Sequence, residues 1–259
     1  MNRKVFNILR NLAIIACIAF AVYEAVYIYL EYLEYDVAKN EYEEIVANMV
    51  EWPASEDEAA IVEYPLIHVD FEGLKEINPD YVGWIYFPCL DISYPVVKEQ
   101  EIDQYLRLTF DGKQNKSGCI YEDVLSDAEF NGMHDIVFGH NMRDGSMFGK
   151  LKKLYQTKDE DLLSDNPYVY IYTKDYVFEY RVFGYYQTTV GSQAYKVVDN
   201  ADDYDELIEY IKYNSAYPRP EDADFSQRPG ILTLSTCSGA SGSSKRFVVH
   251  TFRTGTFKK

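Results

Sequence analysis

Stretches in which residues alternate between two faces with a period of two recur along the chain beyond residue 80. From Ile231 to Cys237, Ile231, Thr233, Ser235 and Cys237 share one strand face, and Leu232, Leu234 and Thr236 share the other. A strand that packs Leu232 and Leu234 inward carries Cys237 at its far end, on the opposite face and beside Ser235. The following loop, residues 238–244, has no bulk and can turn sharply. Arg246–Val249 then begins a second strand, and a hairpin return sets Arg246 close to Cys237. Tyr168–Tyr172 and Tyr176–Val190 alternate on either side of Thr173-Lys174-Asp175 and predict another hairpin. Shorter strands are expected at Val82–Phe87, Ser93–Val97, Gly118–Tyr121 and Asp135–Phe138, the last leading to His140 in a loop.

A period of 3.6 appears in fewer places. Tyr204, Leu207, Ile208 and Ile211 predict a helix over Asp202–Tyr213, with Asp202 or Asp203 as its cap. A short helix is expected over Asp70–Ile77, ending at Asn78-Pro79. Met147, Phe148, Leu151, Leu154 and Tyr155 are spaced for one helix face that supports the His140 loop. Many short strands with a few helices predict a mainly β domain, a closed or nearly closed β-barrel with peripheral helices.

The N-terminus follows neither period. An apolar run continues from Asn11 to Leu30, about the 20 residues a bilayer core needs, behind Arg3, Lys4 and Arg10. The basic flank predicts an uncleaved signal anchor, N-terminus cytoplasmic and the remainder exported. A cleaved signal peptide is the rival, but no convincing small-residue cleavage site precedes a polar start. Residues 31–50 carry a polar, acidic helix pattern, either a stalk or a helix packed on the domain, broken at Trp52-Pro53. The expected organisation is a cytoplasmic tip and transmembrane anchor (1–30), a juxtamembrane stalk or linker (31–63) and a catalytic domain (64–259).

Charge sharpens this division. The chain's net charge is −17, while residues 1–30 are net +2, which leaves −19 on the rest. So acidic a surface excludes nucleic acid as a partner, because phosphates need Lys and Arg. Four cysteines, Cys17, Cys89, Cys119 and Cys237, form no Cys-x-x-Cys pair, so neither a zinc site nor a thioredoxin-like dithiol is expected.

Cys237 is the candidate nucleophile, although a terminal strand cysteine can equally be a small buried hydrophobe. A catalytic thiol needs a cation or base that favours thiolate, and donors that meet the oxyanion it creates. Arg246 can supply the donors; its bland alternative is a surface ion pair. Of the histidines, His140 ends Asp-Ile-Val-Phe-Gly-His in a loop, where catalytic groups tend to sit. His250, on the Arg246 face, is its competitor; His134 precedes the strand and His68 the barrel.

Thr233-Leu234-Ser235-Thr236-Cys237 with Arg246-Phe247-Val248-Val249 resembles the active-site strands of the sortases. Phe138-Gly139-His140-Asn141-Met142 and the residues to Gly149 resemble the histidine segment of class B sortases. Asn78–Ile85 and Tyr94–Val97 are similar to that class's opening strands. The resemblance implies an eight-stranded sortase barrel and selects His140 over His250. It implies His140, Cys237 and Arg246 as catalytic residues. Ser235, on the Cys237 strand face and able to bond a substrate or the arginine, is a candidate substrate contact, with Asn141 and Thr236. It implies a cysteine transpeptidase on a Gram-positive cell membrane that needs no metal or other cofactor. Its expected partners are surface proteins bearing a C-terminal sorting motif and, as acceptor, a peptidoglycan precursor or cell-wall peptide amine. A pilin polymerase with a lysine acceptor, a plain cysteine protease and a non-catalytic binding module remain as alternatives. One departure is that Ser238-Gly239-Ala240 stands where class members often carry an acidic residue just past the cysteine.

Overall fold

A computed structural model describes residues 3–54, 62–156, 162–164, 166–217, 220–239 and 242–259. Residues 55–61 of the stalk or linker expected over 31–63, and Ala240 and Ser241 of the small-residue loop, lie outside the described residues.

Helix α1 runs unbroken from Arg3 to Met49. Its apolar N-terminal part exposes its side chains, whereas Ala38, Tyr42 and Ile45 are buried, with Tyr42 and Ile45 in the main core. This helix is long and apolar enough to cross a membrane by length and composition. After it come β1 (Val50–Glu51) and β2 (His68–Val69), an antiparallel pair of their own. Asp70 caps α2 (Phe71–Ile77) by accepting from the Gly73 backbone N–H at 2.9 Å.

Eight strands then close a barrel: β3 (Tyr81–Phe87), β4 (Ile92–Lys98), β5 (Ile120–Glu122), β6 (His134–Phe138), β7 (Tyr168–Tyr172), β8 (Tyr176–Thr189), β9 (Ile231–Cys237) and β10 (Lys245–Lys258). Around the barrel the order is β10-β8-β7-β3-β4-β5-β6-β9. The hairpin pairs are antiparallel, as alternation about tight turns predicts. Two contacts are parallel, β4 with β5 and β6 with β9, and these close the barrel and bring the His140 strand beside the Cys237 strand.

The two faces of β9 and β10 are both buried, for different reasons. Leu232, Leu234, Phe247 and Val249 fill the barrel interior. Ile231, Val248 and Phe252 face outward into a second core roofed by a helix. That helix is α4 (Ala201–Asn214), which buries Tyr204, Leu207, Ile208 and Ile211, roughly 1.5–3 kcal/mol for each aliphatic side chain. Its cap is Asn200, whose side chain accepts from the Asp203 N–H at 3.0 Å, and not Asp202 or Asp203. Asparagine ranks with aspartate as a cap, and only residue 200 has the extended backbone a cap requires. The helix expected from Met147 is also corrected. Met147 is left-handed (φ 53°) and bridges Asn141, so the chain turns helical only at Gly149–Lys152, a 3₁₀ turn running into α3 (Lys153–Gln156). The predicted apolar face survives, with Leu151 and Leu154 buried.

One buried group works against stability. Glu122, on β5, is fully buried and neither carboxylate oxygen has a hydrogen-bond partner. Burial pushes its carboxyl well above the usual range, and the Asp135 charge adds to this. Lys98 Nζ stands 3.9 Å away but donates to the Asp123 and Ser126 carbonyls. A carboxyl protonated when folded and ionised when unfolded loses stability as pH rises above the unfolded value of 4.5. Glu122→Met removes both orphaned oxygens at similar volume. Thermal or denaturant unfolding is expected to show a gain of about 1–3 kcal/mol at neutral pH. The gain should shrink toward pH 4.5; a loss of stability at pH 8 would refute it.

Candidate active site

Cys237 and Arg246 are cross-strand neighbours, paired at the open end of the β9–β10 ladder. Both line a cleft of about 400 Å³, together with His140, Ser235 and Thr236. Phe138, two residues before His140, pairs with Ser235 across the parallel β6–β9 contact, so that topology carries His140 to the same cleft. The three candidate catalytic residues, drawn from distant parts of the sequence, are thus gathered at one rim.

Arg246 and His140 are each held by specific bonds. Arg246 Nη1 donates to the Ser243 and Lys245 carbonyls at 2.9 and 3.0 Å, which fixes the guanidinium at the start of β10. His140 Nε2–H donates to the Leu106 carbonyl at 2.7 Å, leaving Nδ1 as the nitrogen with a lone pair. Burial holds the imidazole below its usual titration range. The Leu106 carbonyl acts upward, while the charges of Arg107 and Arg246 add to the fall. At neutral pH the resting ring is therefore uncharged, and it becomes a cation only on taking up a proton during reaction.

The candidate substrate contacts divide. Ser235 is fully buried, and its hydroxyl shares a 2.8 Å hydrogen bond with that of Tyr195. Asn141 Nδ2 donates to the Cys237 carbonyl at 2.7 Å, and Thr236 Oγ1 donates to the Gly139 carbonyl at 2.7 Å. The Asn141 and Thr236 side chains therefore tie the cysteine strand to the histidine segment. Any contact they make with a substrate competes with that bracing.

His134 also lines the cleft, but its ring, like that of His250, is taken up by buried hydrogen bonds. His134, Thr233, His250 and Tyr186 form a buried chain of hydrogen bonds at 2.8–3.0 Å. One direction satisfies every member: His134 Nδ1–H donates to the Lys196 carbonyl, Thr233 to His134 Nε2, His250 Nδ1–H to Thr233 and Tyr186 to His250 Nε2. Burial lowers both rings, His134 to about 4. His250 lies on the arginine face, four residues inward and fully buried.

Sequence reasoning missed several participants. Tyr195 reaches Ser235 from the loop before α4, and its ring stacks on Phe138 at 6.0 Å. Nothing local distinguishes it among 25 tyrosines. The Leu106 carbonyl is backbone and carries no sequence signal. All four cysteines are free, so Cys89 and Cys119 do not pair. Among the described residues, no cluster of three His, Cys, Asp or Glu could hold a metal ion.

The chain matches the family model described as the Sortase domain over residues 85–254. It is 29% identical over 170 residues to sortase B of Listeria monocytogenes, covering 65% of this chain and 67% of that protein. The crystal structure of Bacillus anthracis sortase B in complex with AAEK1 superposes with a TM-score of 0.69 at 28% identity, covering 88% of this chain and 100% of that one. A Staphylococcus aureus sortase B–substrate complex gives 0.63 at 27% identity, covering 71% and 84%. A sortase B complexed with triglycine also gives 0.63, at 28% identity, covering 73% and 86%. Barrel, cleft and family match together place this chain in the sortase family of cysteine transpeptidases, among its class B members.

Proposed function

We propose that the chain is a single-pass membrane enzyme of a Gram-positive cell surface, anchored by residues 1–30. Its catalytic domain faces outward, and it cleaves surface proteins at the threonine of a C-terminal sorting motif. The observation that carries this reading is the cross-strand pairing of Cys237 with Arg246 at a cleft that His140 also lines. In the first half-reaction His140 takes the Cys237 thiol proton as the sulfur bonds the threonine carbonyl carbon, and the oxyanion that forms faces the Arg246 guanidinium. His140, as imidazolium, protonates the departing amine as its carbon–nitrogen bond breaks, leaving a thioester. In the second half-reaction an acceptor amine attacks the thioester carbon. His140 takes the amine's proton and passes it to the sulfur as the carbon–sulfur bond breaks, which restores the Cys237 thiol and the neutral ring. The acceptor class is a cell-wall peptide amine, by analogy with the triglycine complex of the related sortase B. The acidic outer domain behind a basic N-terminal flank supports the orientation.

The test is mass spectrometry of the full chain in detergent with sorting-motif peptides and a glycine-based amine. A Cys237 thioester and an amine-linked product are expected. Hydrolysis alone, with any amine, would convert the reading to a protease; a ladder formed only with pilin lysines would convert the acceptor.

A further inference from the structure

We infer that Tyr42 of α1 is a positioning residue for His140, so that the helix leading in from the membrane is part of how the active site is set. This rests on the proposed role of His140.

A packed route joins the two residues. The loop between β4 and β5 crosses beneath His140 and supplies its Leu106 acceptor. Gly118, at the far end of the same loop, lies against that acceptor and against the ring. A methyl group at Gly118 would come within 2.7 Å of the Tyr105 and Leu106 carbonyl oxygens and 3.1 Å of His140 Cδ2. Gly118 is left-handed (φ 57°), so a side chain there is opposed by backbone conformation as well as by space. The loop therefore has no slack at the point where it meets the imidazole.

Helix α1 fixes that point. Tyr42, 5% exposed, donates its hydroxyl to the Gly118 carbonyl at 2.8 Å. Other α1 residues hold the rest of the loop. The Glu34 carbonyl accepts from Asn115 Nδ2 at 2.8 Å, its carboxylate accepts from the Lys116 N–H at 3.0 Å, and Glu41 accepts from the Asp111 N–H at 3.2 Å. Of these contacts, the Tyr42 bond falls on the residue that touches His140. Loss of a buried donor leaves the Gly118 carbonyl unpaired and frees the loop to shift. Leu106 shifts with it, and the 2.7 Å bond to His140 Nε2–H lengthens.

The effect on His140 has a definite sign. The Leu106 bond is stronger to the imidazolium than to the neutral ring and opposes the downward effect of burial. The charged groups acting on the ring are Arg107, from the same loop, and Arg246, from β10; the titratable Cys237 lines the same cleft. Weakening the Leu106 bond while those charges stay moves the His140 titration lower. A ring misplaced by about 1 Å also costs turnover, up to about a hundredfold.

The experiment compares Tyr42→Phe with Glu41→Gln in the full chain in detergent. Tyr42→Phe removes one oxygen and keeps the packed ring; Glu41→Gln changes the charge at a contact of the same helix with the same loop, away from Gly118. His140 is followed by NMR titration without substrate, assigned against His140→Gln, and kcat and KM are measured on a sorting-motif peptide. Tyr42→Phe is expected to lower the His140 midpoint and to reduce kcat about tenfold or more at nearly unchanged KM. Glu41→Gln, which keeps the acceptor for the Asp111 N–H, is expected to leave the midpoint in place. The inference is overturned if Tyr42→Phe lowers only Tm, or if both variants move the midpoint equally. A wild type with no transpeptidation would refute the proposed function while leaving the NMR comparison intact.

Discussion

A Cys237→Ala variant is expected to melt within a few degrees of wild type, to bind sorting-motif peptide and to form neither thioester nor product. The body of β9 is buried and its ladder to β10 is continuous, so removing one sulfur at the half-buried end of the strand leaves the fold intact. No other thiol can stand in. Burial pushes both Cys89 and Cys119 up to about 12, so neither provides thiolate at neutral pH. Cys17 lies within the apolar stretch of α1. Of the four cysteines only Cys237 lines the cleft, in register with a fixed cation. The measurement is intact-mass spectrometry with and without peptide, paired with a melting curve. Turnover above the uncatalysed rate by a folded Cys237→Ala protein would end the thioester mechanism.

The parts of this site that were legible in the sequence are those set by local period. The β9–β10 hairpin, the β7–β8 hairpin and α4 could be read because alternation and 3.6-residue spacing act over a few residues. The Cys237–Arg246 pairing followed from the same rule. The parallel contacts β4–β5 and β6–β9 could not be read this way, because they join residues separated by long crossovers and depend on the whole barrel closing. His140 could be chosen over His250 only by resemblance, since both follow apolar strands. The physical difference is that β10 buries His250 under the helical layer, while β6 ends at Phe138 and releases His140 into the cleft. Packing of α1 on the barrel was equally hidden. Tyr42 and Ile45 look like isolated apolar points on an acidic helix until the β4–β5 loop is folded against them.

Arg246 is where the two electrostatic tasks of the site can be separated. Two of its N–H bonds go to the Ser243 and Lys245 carbonyls, so the guanidinium plane is fixed before substrate arrives. Preorganised donors aimed at a developing oxyanion are worth about 10²–10³ in kcat. Lysine keeps the charge but has no planar fork, and cannot hold two backbone carbonyls while presenting further donors in the same plane. Arg246→Lys is therefore expected to lose about 10²-fold in kcat, with KM changed far less. Arg246 also helps hold the His140 titration down. Arg246→Ala should match or exceed that loss and, in addition, move the His140 midpoint up toward 6.5, because one of the two positive charges acting on the ring is gone. Arg246→Lys, with the charge retained, should leave the midpoint near its wild-type value. Steady-state kinetics across pH, with the His140 titration followed by NMR, separates the two tasks. A lysine variant with wild-type kcat would mean that Arg246 acts through charge alone, and that the oxyanion is met by other donors at the cleft.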